Sequence, residues 1–262
     1  MDLGLGLGLR SDVIGRPGTV VSYDPDAEAL FARMDVEPDA ARRQLYSDVV
    51  TALKNGGVWD LLDAWYETEA HDIQAARLNW KQDAYNLVAV GVETWTVDQG
   101  FTYSSGNCHD TQFNPSTAVG AHYAQDSAVM GFRSKTSGQN ASGACGNTNA
   151  TILPRSTSDN FTIRLNSTVG VNRANTDGAG SFAAVRTSAN QIAIYRDGTL
   201  ADEGVSNNST THSNFSFYLG GRNQSTPSYF AGQVPNFYFG AQLSKTQFEA
   251  ARDADALWIA GL

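Results

Sequence analysis

Residues 192–200, IAIYRDGTL, contain the clearest structural signal in this sequence. Ile192 and Ile194 occupy alternate positions, and the dipeptide Asp197-Gly198 separates them from a second apolar-containing segment. An Asp-Gly pair between two such segments favours a two-residue hairpin turn in which the backbone angle φ is positive. The stretch therefore predicts two antiparallel strands joined by a tight turn.

Short alternating runs continue on both sides of this hairpin, separated by Gly, Asn, Ser and Asp, as is typical of antiparallel β-domains. Each run predicts a strand with one face in the core. The apolar positions are Phe161, Ile163 and Leu165, then Phe182 and Val185, then Phe237 and Phe239. In the first run, Thr162 and Arg164 alternate with the apolar residues. Residues 75–262 are therefore predicted to form one antiparallel β-sandwich.

Residues 23–74 follow a helical pattern instead. Asp24 can cap a short amphipathic helix with Pro25 at its first position, and a second helix is predicted to begin at Pro38 and to be ended by Asn55, Gly56 and Gly57. The following segment, residues 59–66, is rich in Trp, Leu and Tyr and fits either a short helix or a buried strand. We expect a small helical unit here.

The two ends of the chain have distinct patterns. Near the C-terminus, Ser244 and Gln247 have the spacing of a capping box, which predicts a terminal helix packed on the sandwich. Residues 1–22 begin with alternating leucine and glycine, too rich in glycine for a stable helix. They could be a flexible tail, or an attachment peptide that adds to a partner through its leucines. Those leucines are Leu3, Leu5, Leu7 and Leu9.

Composition restricts the possible partners. A chain of 262 residues with 41% hydrophobic content can bury a full core. The net charge of −9 and the absence of clustered Lys and Arg argue against binding to nucleic acid or to anionic membranes. Apolar stretches are shorter than the ~20 residues that span a bilayer, and no secretory signal pattern begins the sequence. We therefore expect neither membrane insertion nor Sec export.

Only two cysteines occur, Cys108 and Cys145. They cannot form a disulfide framework or a site with four soft zinc ligands. A single disulfide stays possible, because sequence does not give the distance between their Cα atoms.

Several segments together resemble bacteriophage and prophage structural proteins that carry a concanavalin-A-like, LamG-type domain. The segments are GGVWDLLDAWY (residues 56–66), ARLNWKQDAYNLVAVG (76–91), TVDQGFTY (96–103), DTQFNP (110–115), YRDGTL (195–200), FYLGGRN (217–223) and FYFGAQLS (237–244). The resemblance implies an all-β, concanavalin-A-like jelly-roll sandwich with a small N-terminal helical unit and a C-terminal helix. It also implies a component of a virion, or of the related gene transfer agents, and its motifs indicate fold more strongly than ligand.

Lectin-like jelly rolls also include glycoside hydrolases, which need two suitably spaced carboxylates. The alternating Glu-x-Asp-x-Glu pattern of the sandwich glucanases is absent. Glu67 with Glu69, and Asp202 with Glu203, are the nearest candidates, and the second pair would point to opposite faces of a strand. The histidines are scattered without a metal-binding or nucleophile motif, at His71, His109, His122 and His212. We expect no enzymatic activity and no metal centre.

Calcium is the one ion that the resemblance makes worth considering, since LamG-type domains often hold it through loop oxygens. Asp126, Asp159, Asp177 and Asn223 could be ligands. The same residues are also common turn formers, and no densely acidic loop is present.

Sugar binding requires an aromatic face for the apolar side of a pyranose and polar groups for its hydroxyls. The predicted loops combine these residue types. The candidates are Tyr103, His109, Asp110, Tyr123, Arg222, Asn223 and Tyr229.

Two functional hypotheses follow from the resemblance. The first is a virion surface fibre or spike, made in the bacterial cytoplasm, that attaches to the particle through its N-terminal peptide and binds host-surface polysaccharide. The second is a structural decoration or connector protein without glycan binding, and a glycoside hydrolase is a minor third. Fibres of this kind form symmetric assemblies, so a homo-oligomer is expected.

Overall fold

A computed structural model describes residues 22–197 and 199–262. The predicted attachment leucines, Leu3, Leu5, Leu7 and Leu9, lie outside these residues. The described chain forms three layers, which are a seven-stranded sheet, a six-stranded sheet and a layer of helices.

The helices are α1 (Pro25–Phe31), α2 (Ala40–Asn55) and α3 (Lys245–Ala260), with short 3₁₀ turns at Trp59–Leu61 and Ala75–Arg77. The strands are β1 (Leu62–Glu67), β2 (Val88–Val90), β3 (Trp95–Thr96), β4 (Gly100–Tyr103), β5 (Cys108–Asp110), β6 (Ala128–Ser134), β7 (Cys145–Gly146), β8 (Thr151–Leu153), β9 (Asn160–Arg164), β10 (Val171–Ala174), β11 (Gly180–Ser188), β12 (Gln191–Arg196), β13 (Thr199–Ser206), β14 (Tyr218–Leu219), β15 (Gly221–Arg222), β16 (Ser228–Tyr229), β17 (Gly232–Gln233) and β18 (Asn236–Gly240).

The strands form two large antiparallel sheets. The six-stranded sheet has the order β1-β18-β6-β11-β12-β13, and the seven-stranded sheet has the order β10-β9-β8-β7-β14-β5-β2. Small additional sheets pair β15 with β16 and β17 with β4 and β3. This is the antiparallel sandwich that the alternating sequence predicts, and the fold prediction is confirmed.

The Asp-Gly hairpin forms where the sequence predicts it. Arg196 pairs with Thr199, so β12 and β13 are antiparallel neighbours at this point of the chain. Asp197 has φ of 49°, the positive value that such a turn requires.

The main core lies between the two sheets. On β9, Phe161 and Ile163 are buried and point inward, whereas Thr162 and Arg164 are only partly buried and lie on the opposite face. The strand thus has the one-sided burial that its alternation predicts. Its outer face remains open to solvent.

The six-stranded sheet is different, because both of its faces are buried. On β18, Phe237 and Phe239 face the seven-stranded sheet, while Tyr238 packs with the helices. The expectation of one buried face per strand is therefore wrong for this sheet. Helices α1, α2 and α3 and the 3₁₀ turn at Trp59–Leu61 supply the apolar cover, which includes Trp59 and Trp258.

Residues 59–66, whose sequence fits either a short helix or a buried strand, contain both a helical turn and a strand. Trp59–Leu61 forms a 3₁₀ turn, and Leu62–Glu67 then pairs antiparallel with β18. Strand β1 therefore places the start of the sandwich before the boundary at residue 75. At the other end, Ser244 and Gln247 form the predicted capping box of α3.

Cys108 and Cys145 are buried free thiols, so the disulfide that the sequence allowed is not formed. Among residues 22–197 and 199–262, no helix combines the length and apolarity needed to cross a bilayer.

Candidate functional site

Two of the predicted sugar-binding residues, Tyr103 and His109, are 3% and 1% exposed and belong to an internal network. Tyr103 Oη lies 3.2 Å from His109 Nδ1, and His109 Nε2 lies 2.5 Å from the Glu93 carboxylate, which Arg77 also contacts. Burial lowers the pKa of His109, against the opposing hydrogen bond with Glu93. These side chains hold β4, β5 and the preceding loop together and offer no surface to a ligand.

Tyr123 and Asn223 are also buried. Tyr123 Oη donates a hydrogen bond of 2.6 Å to Asn166 Oδ1, and its ring packs against Phe217. Asn223 Nδ2 donates to Ser216 Oγ at 3.0 Å. The prediction of sugar contacts is therefore corrected for Tyr103, His109, Tyr123 and Asn223, because sequence did not reveal that these residues point inward.

The remaining candidates, Asp110, Arg222 and Tyr229, are partly exposed on the side of the seven-stranded sheet away from the core. Tyr218 lies near them and was not predicted. It lies between the buried Phe217 and Leu219, so its ring takes the outer face. Burial raises the pKa of Tyr218 to about 12, and the neighbouring Asp110 acts in the same direction.

A continuous row of residues crosses this outer face. Cross-strand pairing joins Val88 to Asp110, Asp110 to Tyr218, Tyr218 to Gly146, Gly146 to Thr151, and Thr151 to Arg164. Since adjacent strands lie about 4.8 Å apart, Tyr218 and Arg164 are roughly 14 Å apart across the sheet. Tyr218 is partly exposed, and its cross-strand neighbour Gly146 has no side chain to pack against the ring.

A groove of about 250 Å³ lies over one end of this row. Outward residues of β8 and β9 form its floor, and the segment 141–143 and the β15–β16 hairpin form its walls. The lining residues are Ala141, Ser142, Gly143, Thr151, Leu153, Thr162, Arg164, Arg222, Gln224 and Ser228. Most of them are polar.

Specific contacts hold the walls in place. Ser142 and Ser228 hydroxyls lie 2.7 Å apart and join the two walls. A Cβ on Gly143 would lie only 2.1 Å from Thr151 Oγ1, so the segment can approach the sheet this closely only with glycine. Asn140 exchanges two hydrogen bonds with the Ala231 backbone, at 3.1 and 2.8 Å, which anchors the segment before the groove.

The groove contains two guanidinium groups. Arg222 Nε donates to Gln224 Oε1 at 2.8 Å, and Arg164 Nη1 donates to Thr148 O at 3.5 Å. Burial lowers the pKa of Arg222, and the positive charge of Arg164 lowers it further. The two cations are thus close enough to repel each other, and each keeps donors free for a ligand.

The carboxylates considered for catalysis lie elsewhere. Glu67 and Glu69 are 0% and 1% exposed. Glu69 pairs with Arg133 and Lys135, and Asn236 donates to Glu67 at 2.8 Å. Both carboxylates are therefore buried and engaged in contacts within the protein.

The other pair, Asp202 and Glu203, lies on β13. Asp202 pairs with Arg173, and Glu203 is exposed. Glu203 lines a wider cleft of about 530 Å³ between the edge of the six-stranded sheet and the start of α3, together with Tyr195 and Lys245. This cleft is an alternative candidate for the ligand-binding site.

The candidate calcium ligands are engaged in local contacts. Asp126 accepts from Ser209 Oγ, Asp159 accepts from Arg155 and Gln139, and Asp177 caps a turn at Ala179 N. Within the described part of the chain, no three His, Cys, Asp or Glu side chains are grouped so that they could hold a metal ion.

Comparison with known proteins supports the fold. No protein-family model matches the chain, and no curated protein sequence matches it. Among solved structures, a mutant of Trypanosoma rangeli sialidase displaying trans-sialidase activity is similar, with 12% identity and a TM-score of 0.52 over 84% of this chain and 40% of that chain. The binding domain of botulinum neurotoxin serotype D is similar at 11% identity, with a TM-score of 0.50 over 78% of this chain and 53% of that chain.

The chain thus spans about half or less of each of these proteins. Identities this low show a shared fold and nothing more specific. The fold class is an antiparallel β-sandwich of the kind present in these two proteins, here with a helical layer on one sheet. The virion part of the resemblance stays a prediction.

Sequence reasoning named Arg222 but missed Arg164, Tyr218 and the groove hydroxyls. The alternation of residues 161–165 already placed Thr162 and Arg164 on the face opposite the core. Outward positions on a strand are therefore a sequence signal for such a site, in addition to residues in loops.

Proposed function

We propose that this protein binds a glycan on the outer face of its seven-stranded sheet, with the groove at residues 141–164 and 222–228 as the main contact. The observation that carries this proposal is the asymmetry of the sandwich. Helices cover the outer face of the six-stranded sheet, whereas the outer face of the seven-stranded sheet is open and polar.

The chemistry of this face suits a saccharide. Sugar hydroxyls need both donors and acceptors, and the groove offers Ser and Thr hydroxyls, the Gln224 amide and guanidinium donors. Tyr218 presents a partly exposed ring next to Gly146, where the apolar face of a pyranose could stack. The separation of these two features favours an oligosaccharide or polysaccharide over a single sugar.

The experiment is a glycan-binding assay with two tryptophan variants. Thr162 is a partly exposed groove residue, so Thr162→Trp should fill the groove and abolish binding. Thr187 is exposed and lines the alternative cleft that contains Glu203. Thr187→Trp is therefore the matched control and should bind the glycan normally. Loss of binding in Thr187→Trp alone would move the site to the cleft, and no binding by the unmodified protein to any glycan or host cell would overturn the proposal.

We also propose that the protein binds rather than cleaves its glycan. Support comes from the enclosure of Glu67 and Glu69 and from the ion pair of Asp202, which leave no opposed carboxylates in the groove among the described residues. Incubation with a bound polysaccharide should release no new reducing ends. Release that is lost in Thr162→Trp would instead identify a glycosidase.

The particle-level role rests on the sequence resemblance. We propose a virion surface fibre or spike, homo-oligomeric and attached through residues 1–22, with a purely structural decoration protein as the alternative. Deleting residues 1–10 should prevent incorporation into particles while glycan binding by the purified protein persists. Normal incorporation of the deleted form would exclude the attachment role of Leu3, Leu5, Leu7 and Leu9.

A further inference from the structure

The pairing of cationic side chains shows which part of the surface is available to an anion. Across residues 22–197 and 199–262, nearly every Lys and Arg lies within 4.0 Å of a carboxylate. The exceptions among these residues are Arg164, Arg186 and Arg222. In a chain with a net charge of −9, cations without a carboxylate partner need an explanation.

Arg186 has a structural explanation. It is fully buried, and its Nε and Nη1 atoms donate to the backbone carbonyls of Leu165 and Asn207, each at 2.7 Å. Carbonyl oxygens satisfy this cation inside the protein. It has no role at the surface.

Arg164 and Arg222 have no such explanation. Both line the same groove, although they are far apart in sequence and come from different strands. Their neighbours there are hydroxyl and amide groups, which do not neutralise charge. Placing two like charges in a partly buried groove opposes folding, so the arrangement is better explained by a ligand than by stability.

Arginine is the side chain best suited to this task. Its planar guanidinium can bond two oxygens of a carboxylate or sulfate at once, and such charge-assisted bonds are about twice as strong as neutral ones. Two guanidinium groups together provide both charge and orientation. Ser142 donates to Ser228, and Thr162 donates to Asn172 Oδ1 at 2.8 Å. The oxygen lone pairs that these hydroxyls keep can accept hydrogen bonds from the neutral part of the ligand.

We propose that the groove selects acidic polysaccharides, and that Arg164 and Arg222 together bind an anionic substituent of the sugar, either a carboxylate or a sulfate ester. This inference rests on the proposed glycan-binding function. It makes the groove specific for charge as well as for sugar hydroxyls.

The test measures the binding of the full-length protein to four immobilised polymers. These are polygalacturonate, the same polymer after reduction of its carboxyl groups, dextran sulfate and neutral dextran. We expect binding to polygalacturonate or dextran sulfate to exceed binding to its neutral counterpart at least about tenfold. Binding to the acidic polymer should also weaken as the salt concentration is raised from about 0.05 to about 0.5 M, because the screening length then falls roughly threefold. The acidic polymer that binds more tightly distinguishes carboxylate from sulfate.

Four variants test the residues. Arg164→Gln and Arg222→Gln should each weaken binding to the acidic polymer about tenfold or more. Arg252→Gln is the matched control, since it removes the same charge from α3 on the opposite side of the sandwich and should leave binding unchanged. Arg222→Lys should recover only part of the affinity, because lysine keeps the charge but not the planar fork.

The outcomes separate this inference from the function on which it rests. Equal binding to acidic and neutral polymers, lost only in Thr162→Trp, would keep the glycan site and overturn the charge selectivity. Equal weakening by Arg164→Gln, Arg222→Gln and the control Arg252→Gln would show general charge attraction and also overturn the charge selectivity. Absence of binding to every polymer and to host cells would overturn the glycan function itself.

Discussion

Arg133 Nε donates hydrogen bonds to both carboxylate oxygens of Asp255, at 2.9 and 2.8 Å. Arg133 lies on β6 in the middle of the six-stranded sheet, and Asp255 lies on α3, so this ion pair fixes the C-terminal helix to the sandwich. Both residues are buried, at 8% and 3% exposure, and Arg133 also contacts Glu69. The contact explains how a charged residue can lie on the packed side of α3.

The first prediction concerns this ion pair. Asp255→Asn removes one of the carboxylates that neutralise the buried Arg133 cation. The free energy of unfolding should therefore fall by about 3 kcal/mol. Asp253→Asn is the control on the same helix, because Asp253 is largely exposed and should change stability by less than about 0.5 kcal/mol. Urea unfolding measures both. Equal stability of the two variants would show that the pair does not hold the helix.

The second prediction concerns Glu67, whose Oε2 atom is buried without a hydrogen-bond partner. Burial raises the pKa of Glu67 well above its ordinary value near 4.5, with the Asp255 charge acting in the same direction. A raised folded-state pKa contributes stability that is complete below the unfolded pKa and is lost as the pH rises through the folded pKa. Glu67→Gln, which cannot ionise, should therefore become more stable than the unmodified protein as the pH increases.

Urea unfolding at pH 4, 6 and 8 measures this difference, the values being chosen to bracket the ordinary pKa. The advantage of Glu67→Gln should be smallest at pH 4 and largest at pH 8. Glu203→Gln, at an exposed position, should show no such trend. A difference between Glu67→Gln and the unmodified protein that is the same at all three pH values would mean that Glu67 does not titrate as the structure indicates.

The third prediction concerns the two thiols. Burial raises the pKa of Cys108 to about 12 and also raises that of Cys145. Because the thiolate is the reactive form, neither residue should react with iodoacetamide in the folded protein at pH 8. Both should react in denaturant without reductant, as mass spectrometry would show by two added groups. Reaction only after reduction would reveal a disulfide.

The fourth prediction separates function from stability in the groove. Arg222→Gln removes a charge that Arg164 repels, so its free energy of unfolding should stay within about 0.5 kcal/mol of the unmodified protein or rise slightly. Arg133→Gln, which leaves buried carboxylates unpaired, should lower stability by about 3 kcal/mol. A large loss of stability in Arg222→Gln would mean that this arginine is part of the fold.

The local structure could be predicted from sequence wherever neighbouring residues decide it. The hairpin at Asp197, the one-sided strand at residues 161–165 and the capping box of Ser244 all follow from short-range chemistry, which is turn geometry, alternation and hydrogen bonding within a few residues. These features are present in the structure as predicted. They were sufficient to identify an antiparallel sandwich.

Tertiary structure decided which side chains can meet a ligand. Tyr103 and Tyr123 have the composition of a sugar site but point into the core, because packing between sheets rather than local sequence sets their direction. Arg164 and Arg222 share a groove only because pairing across several strands brings β9 and the β15–β16 hairpin together. Sequence alone determined the pattern of strands and turns, because neighbouring residues set it. Long-range pairing decided which sheet face the helices cover and where Arg164 and Arg222 meet, since these contacts depend on how whole sheets pack.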